Sequence, residues 1–371
     1  MFAENTLVKL LIRRMILAGL LLGVWCVALP GVALPTFASP DQGKNLTHIP
    51  KPVTAAIPEP CDRTCLVGVV DSYFKAMLNR NPRGLALARD VKYTEDGQTV
   101  DPGQGIWNTF TGLGTYRVYL ADPETGETGY YGSYTEFGRL QGVMALRLLV
   151  TNHEITQVEV VMARQELRPK GGLGDNTAGV MTPILIDELD PSDFISPDVS
   201  LLAPLAKDER TPRSEMIDAA QKYYQGYSAK DASIVPFAAD CSSRENGMAT
   251  SHNPNGPVVD PSKPDFHAFG GSCADELNQG YFVGIEKPRG VRTLIVDERQ
   301  GLVLNLALFD NEGNVKSVSV SGVGDVAVPR NFLRPITFLK PQLFKIESGK
   351  IREIEGLSWP VPFGMRSGWN N

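Results

Sequence analysis

Residues 73–97, YFKAMLNRNPRGLALARDVKYTEDG, return in outline 150 positions later as YYQGYSAKDASIVPFAADCSSRENG, residues 223–247, with no gap needed. Identities fall at Tyr73/Tyr223, Ala88/Ala238, Asp90/Asp240, Glu95/Glu245 and Gly97/Gly247, and Phe74 stands opposite Tyr224. Two further echoes follow in the same order. Asp122 and Gly126 of DPETG match Asp297 and Gly301 of DERQG, each bounding a turn between apolar runs. Then LLVTNHEITQVEVV, residues 148–161, matches FKIESGKIREIEGL, residues 344–357, with Ile155/Ile351, Val158/Ile354 and Glu159/Glu355 in register. Three echoes in one order imply a duplicated module, and self-similarity constrains the fold before any single element is assigned.

A chain of 371 residues has room for two such modules. Hydrophobic residues at 42% and charged residues at 21% are an ordinary globular balance, which excludes a disordered chain. A formal charge of -6, with no Lys/Arg cluster beyond the N-terminus, excludes a nucleic-acid partner, which needs a basic footprint.

Residues 1–38 read as a signal peptide: Lys9, Arg13 and Arg14 precede the apolar run 15–29, and Thr36-Phe37-Ala38 offers small residues for cleavage. The expectation is a secreted or periplasmic protein without stable membrane association once the signal is removed. An uncleaved anchor is the alternative, although the run is shorter than the roughly 20 residues a bilayer span needs. Cys26 has no small residue before it, which disfavours a lipoprotein. Four cysteines remain, Cys61, Cys65, Cys241 and Cys273, and an oxidising compartment would pair them. Three pairings are possible. Cys61 with Cys65 and Cys241 with Cys273 keeps each bridge within one module, and the second would tie down the Pro- and Gly-rich stretch 253–271. The Cys-x3-Cys spacing without a preceding strand argues against a thioredoxin-like redox role.

Residues 39–60, with Pro40, Pro50, Pro52, Pro58 and Pro60, read as an extended linker, and Asn45-Leu46-Thr47 is a glycosylation sequon. The first module, 61–168, opens with a helix whose stripe is Leu66, Val69, Val70, Tyr73, Phe74 and Met77, stopped at Asn81-Pro82. A short helical segment around 85–88, a strand at 91–94, a hairpin turn at 95–98 and a helical turn at 106–110 follow. Strands are expected from 115 to 120 and at 128–137, 142–150 and 155–163. Residues 169–210 form a second linker carrying an apolar patch at 181–186. The second module, 211–371, repeats the order. Its helix carries Ile217, Ala220, Tyr223, Tyr224 and Tyr227, and its strands lie near 293–296, 302–309, 315–320, 343–346 and 351–357. Leu302 to Phe309 is apolar on both alternating faces, so that strand needs a cover on each side, helices on one and the other module on the second. The fold class is α+β, with helices packed on one face of a curved antiparallel sheet in each module.

This order, closed by FKIESGKIREIEG, resembles the NTF2-like superfamily, which includes SnoaL-like polyketide cyclases and ketosteroid-isomerase-like and scytalone-dehydratase-like enzymes. CDRTCLVGVVDSYFKAM, YTEDG, GIWNTFTGLGTYRVYLADPETG and VPFGMRSGW look like an exported tandem NTF2-like family of bacteria and fungi, over residues 61–371. The resemblance implies two cone-shaped modules packed as a pseudo-dimer within a monomer, each with a pocket between helices and sheet. It names no catalytic position, because the superfamily reuses one pocket for many chemistries.

Candidate site residues come from the residues themselves. Glu95 and Glu245, the duplicated carboxylates, sit where a hairpin approaches the pocket mouth and could serve as general bases; the plainer reading is that each fixes its turn. Arg244, Glu245 and His252 place a cation, a carboxylate and an imidazole within nine positions, a candidate catalytic set, or else a solvated hairpin. Asp265 and His267 with His252 could bind a metal, but the spacing matches no metal motif, and none is expected. Trp107, Arg117 and Tyr119, with Glu95, are candidate ligand contacts, against the commoner fate of core packing; Tyr116, Trp359 and Trp369 belong to the same aromatic set. The segment 359–369 is expected to wrap over a module as a lid. Glu159 faces away from the apolar side of its strand, toward the other module and Arg147.

Serine-hydrolase elbows, phosphate loops and dinucleotide fingerprints are missing from the sequence. The function expected is a cofactor-free lyase, dehydratase or isomerase acting on a small polyketide-like or sugar-like molecule. The alternative is a small-molecule-binding or scaffold protein in which neither pocket does chemistry.

Overall fold

The computed structural model describes residues 57, 60–138, 140–164 and 196–369. The expected signal peptide, most of the expected first linker with its sequon, and the patch at 181–186 lie outside the described residues. Among the described residues no helix is long and apolar enough to cross a membrane.

Asp62 starts the first helix, α1 (Arg63–Leu78), by accepting a hydrogen bond from the Cys65 amide at 2.9 Å. The whole stripe read from the sequence is buried. A 3-10 turn over Pro82–Gly84 leads into β1 (Leu87–Glu95), so the segment expected to be helical at 85–88 is not helix, and its second half is already strand. The chain continues through β2 (Gln98–Thr99), a 3-10 turn at Gly105–Asn108, β3 (Phe110–Asp122), β4 (Glu127–Glu136), β5 (Leu140–Thr151) and β6 (Glu154–Arg164). After α2 (Val199–Leu202) and α3 (Arg213–Ala229) come β7 (Phe237–Glu245) and β8 (Met248–Ala249). A long excursion carrying α4 (Cys273–Gln279) returns to β9 (Lys287–Asp297) and β10 (Leu302–Asn311). The small ribbon β11 (Ser317–Val320) and β12 (Gly324–Ala327) precedes β13 (Ile336–Glu347), β14 (Lys350–Gly356) and β15 (Trp359–Val361).

The strands form two six-membered orders, β2-β1-β6-β5-β4-β3 and β8-β7-β14-β13-β10-β9, with β15 added to β13. The helix start, first strand and short return strand recur at a constant separation of 150 residues, at 63/213, 87/237 and 98/248. The short hairpins turn through Asp96 (φ 47°) and Gly97 (φ 79°), and through Asn246 (φ 50°) and Gly247 (φ 86°). Positive φ at both central positions suits the strand twist, and glycine takes it without strain.

Three sequence expectations need correction. Each sheet is mixed, because β1 runs parallel to β6 and β7 parallel to β14. Residues 317–320 join only β12, outside the main sheet. Residues 359–361, expected to belong to a wrapping lid, instead form a strand paired with β13.

Three apolar clusters hold the chain together. α1 covers one face of the first sheet, and α3, α4 and the excursion cover one face of the second. The third lies between the sheets: Val118, Leu120 and Val161 meet Leu304, Leu306 and Leu343. Along β10, Val303, Ala307 and Phe309 face the helices while Leu302, Leu304, Leu306 and Leu308 face the other sheet, which accounts for its unbroken apolar run.

Candidate functional site

Alternation along β13 turns Phe338, Lys340, Gln342 and Phe344 toward the helices and Leu339 and Leu343 toward the sheet interface. Two polar residues therefore enter an otherwise apolar cone. The Lys340 ammonium donates to Glu286 Oε2 at 2.8 Å and Glu245 Oε2 at 3.1 Å, and lies 4.8 Å from the Phe309 ring centroid. Glu245 arrives as the last residue of β7, and Glu286 just before β9. A fourth ionisable group comes from α4, where Glu276 accepts from Ser243 Oγ at 3.0 Å. The Cys241–Cys273 disulfide ties α4 to β7, and Ser272 and Asp275 close a capping box at its start. Between these groups and the rings of Tyr227, Phe269 and Phe282 lies a cavity of about 40 Å³, room for roughly three water molecules.

Burial alone would push the Lys340 ammonium down, but the field of Glu245 and Glu286 outweighs it and holds its pKa above the ordinary lysine value. Burial pushes Glu286 up, opposed by Lys340. Glu276 keeps an edge at the surface, yet its inward carboxyl is desolvated and pushed up to about 7, against the Ser243 hydrogen bond. A carboxyl poised at neutral pH beside a fixed ammonium can both take and give a proton.

The expected catalytic set is only partly brought together. Glu245 enters the cavity. Arg244, its neighbour along the strand, projects to the opposite side, 3.9 Å from Glu355, and is exposed. His252 is exposed with its Nε2 3.1 Å from the Cys241 carbonyl, and does not line the cavity. Glu245 instead lies beside Lys340, with Glu276 and Glu286 lining the same cavity. Asp265 and His267 are exposed, and among the described residues no three His, Cys, Asp or Glu side chains converge as a metal site would require.

In the first half the expected ligand contacts are structural neighbours. Glu95 is buried, accepting from the Tyr93 hydroxyl and from the Ile106 amide at 3.0 Å. Trp107 is buried edge-on to Tyr73 at 5.3 Å, and Tyr119 stands edge-on to Tyr130 at 5.5 Å. Arg117 is exposed and donates to the carbonyls of Gly114 and Leu113 at 2.5 and 3.2 Å. The strand registers explain why the first cone is packed and the second polar. Tyr130 opposes Leu146 and Gly132 opposes Met144, where the second sheet opposes Asn305 to Gln342 and Ala307 to Lys340.

A family model matches this half. It is described as Domain of unknown function (DUF8021) and covers residues 209–358. No curated protein matches the chain in sequence. Among solved structures, a protein assigned as a polyketide cyclase from Xanthomonas campestris pv. campestris is 14% identical, with 40% of this chain and 92% of that one covered and a TM-score of 0.25. A phenazine biosynthesis-related protein from Pseudomonas aeruginosa is 11% identical over 43% and 95%, with a TM-score of 0.24. An LEH-like epoxide hydrolase from M. tuberculosis is 12% identical over 40% and 86%, with a TM-score of 0.23.

Lys340, Gln342, Glu276 and Glu286 escaped the sequence reading. The segment Lys340-Pro341-Gln342 looks like a strand breaker, since proline cannot donate to a ladder. Pro341 is tolerated because β15 pairs with β13 only as far as Leu339 and β14 only from Gln342, so its missing amide falls in the gap. A signal was present: carrying the third echo four residues back sets Lys340 against Met144 and Gln342 against Leu146.

Proposed function

We propose that the chain is an exported tandem of two NTF2-like cones pressed together as an internal pseudo-dimer, the first packed solid and the second a cofactor-free acid–base catalyst. The matching strand orders, the shared cluster between the sheets and the sequence resemblance support the architecture. Two disulfides, Cys61–Cys65 and Cys241–Cys273, support export to an oxidising compartment. The reaction is that of a lyase, dehydratase or isomerase on a small polyketide-like or sugar-like molecule.

The observation that carries the catalytic reading is the Glu276 carboxyl facing an ammonium braced by two other carboxylates inside an aromatic cavity. As a carboxylate, Glu276 takes the proton from carbon next to a substrate carbonyl. Its carboxylic acid then returns that proton to the neighbouring carbon in an isomerisation, or to a departing β-hydroxyl that leaves as water in a dehydration. Lys340 places positive charge beside the oxygen on which negative charge develops. The test is deuterium exchange at the carbon next to the carbonyl of small hydroxyketones, followed by NMR. Glu276→Gln should slow exchange by about 10²-fold or more; equal rates in wild type and variant would overturn the reading.

A second reading, a binding or scaffold protein, is favoured by the small size of the cavity, about 40 Å³. On that reading no compound exchanges faster than in buffer.

A further inference from the structure

The hairpin that delivers Glu245 is built twice on the same backbone and furnished differently. In the first half the Val100 amide donates to the Tyr93 carbonyl at 3.1 Å, and 150 positions later the Thr250 amide donates to the Ser243 carbonyl at 2.9 Å. Tyr93 and Val100 both pack into the first apolar cluster, so the hairpin itself needs no hydroxyls at these positions. The second half nevertheless carries two, Ser243 Oγ and Thr250 Oγ1, buried and 2.7 Å apart.

Each hydroxyl has one hydrogen, and that fixes the direction of the pair. Ser243 gives its hydrogen to Glu276 Oε2 at 3.0 Å, so while Glu276 is ionised Thr250 is the donor to Ser243. The Ser243 amide donates to Ser251 Oγ at 2.8 Å, which pins the middle of the series. Hydroxyls aligned in this way polarise one another, and the carboxylate at the end receives a stronger bond than a lone serine would supply. Among the described residues Ser243 is the one hydrogen-bond donor to Glu276, and Oε1 of the same carboxyl carries no hydrogen bond. The other groups around it act through their charge or share the cavity: Glu245 pushes the Glu276 pKa up, Lys340 pulls it down, and Glu286, Tyr223 and Tyr227 line the same space. Thr250 lines that cavity too.

We infer that Ser243 and Thr250 are positioning residues of the second cone, their hydroxyls in series holding Oε2 of Glu276 and leaving Oε1 as the oxygen that takes and returns a proton. The inference rests on the acid–base reading of Glu276 and adds what sets the working oxygen and the pH at which it works. Both hydroxyls are uncharged, so replacing them alters hydrogen bonding without altering the charge of the site.

The test is a carboxyl titration of Glu276 by NMR in the full chain, for wild type, Ser243→Ala, Ser243→Thr and Thr250→Val. A hydrogen bond to the ionised form lowers a carboxyl pKa, so Ser243→Ala should raise the midpoint by about 1 pH unit or more. Thr250→Val installs the residue of the first half and touches no part of Glu276, yet should raise the midpoint by a smaller amount, about 0.3 pH unit. Ser243→Thr keeps the hydroxyl and should restore the wild-type midpoint. A merely structural role predicts the opposite sign, because loosened packing brings the carboxyl into water and lowers its midpoint. A fall in Ser243→Ala or Thr250→Val, or no change in both, overturns the inference. Where a compound exchanges deuterium, the pH midpoint of exchange should move with the titration. Absence of exchange in wild type counts against the acid–base reading alone, while the titration still decides whether the two hydroxyls hold the carboxyl.

Discussion

Lys340 is the residue on which the second cone depends. Its ammonium compensates Glu245 and Glu286 in a site with little water, so replacing it leaves two carboxylates crowded and unpaired. Lys340→Met, which adopts the first sheet's residue, should cost about 3–5 kcal/mol at pH 8, because breaking a buried pair strands its partner. The cost should shrink at pH 5, where the stranded Glu286 carboxyl, already pushed up by burial, takes up a proton; urea denaturation at the two pH values measures both. Glu276 gives a second prediction. Its folded pKa, about 7, lies above the ordinary carboxyl value of 4.5, so between those values the folded state binds more protons and its stability falls as pH rises. Glu276→Gln should flatten that slope and be more stable than wild type at pH 8 by on the order of 1–3 kcal/mol. Of the ionisable groups around Lys340 only Glu245 was legible as a site residue in the sequence, through its duplicate Glu95. Lys340 and Gln342 were hidden by the proline between them, and Glu276 by an excursion the first half does not share.

Among the elements, the short hairpins and both long helices were legible because turn glycines and apolar stripes are local signals. Parallel pairing of β1 with β6 and of β7 with β14 was not, since an alternating strand reads the same whichever way its neighbour runs. The excursion before β9 has no periodicity of its own, and its placement depends on the covalent link from β7 to α4. Cys241 and Cys273 are 32 positions apart, a span for which the chain-entropy account gives a bridge about 3–4 kcal/mol of stabilisation. A Cys241→Ser/Cys273→Ser double variant should unfold at correspondingly lower urea concentration. It should also bring the Glu276 carboxyl into water, lowering its pKa toward the ordinary range in a carboxyl titration by NMR. An unchanged titration would mean that packing, rather than the bridge, holds α4 over the cavity.

At the scale of the whole molecule the two sheets meet through the shared apolar cluster and through two carboxylates that the third echo sets in register, Glu159 and Glu355. Their surroundings differ by one ladder position. Arg147 sits opposite Glu159 on β5, where β13 presents Leu343 opposite Glu355. Glu159 also receives Arg292 from the other sheet at 2.5 Å, whereas the cation nearest Glu355 is the exposed Arg244 at 3.9 Å, with Tyr116 and Glu353 as its other polar neighbours. Burial, reinforced by Glu353, pushes Glu355 up to about 8 despite Arg244. Because the folded value stands above the unfolded one, Glu355 is protonated in the folded chain while ionised in the unfolded one through the neutral range. Stability attributable to it therefore declines as pH rises from about 4.5 to about 8. Glu355→Gln, which keeps the shape of the protonated acid, should leave stability near wild type at pH 5 and raise it on the order of 2–3 kcal/mol at pH 8.5. Arg292→Met should act in the opposite direction, costing about 3 kcal/mol by leaving Glu159 with Arg147 alone at 3.9 Å. Denaturation midpoints of both variants at the two pH values decide whether the contact between the halves is held by its apolar cluster with one compensated charge, or by both carboxylates alike. Equal responses from Glu355→Gln and Glu159→Gln are what the geometry forbids.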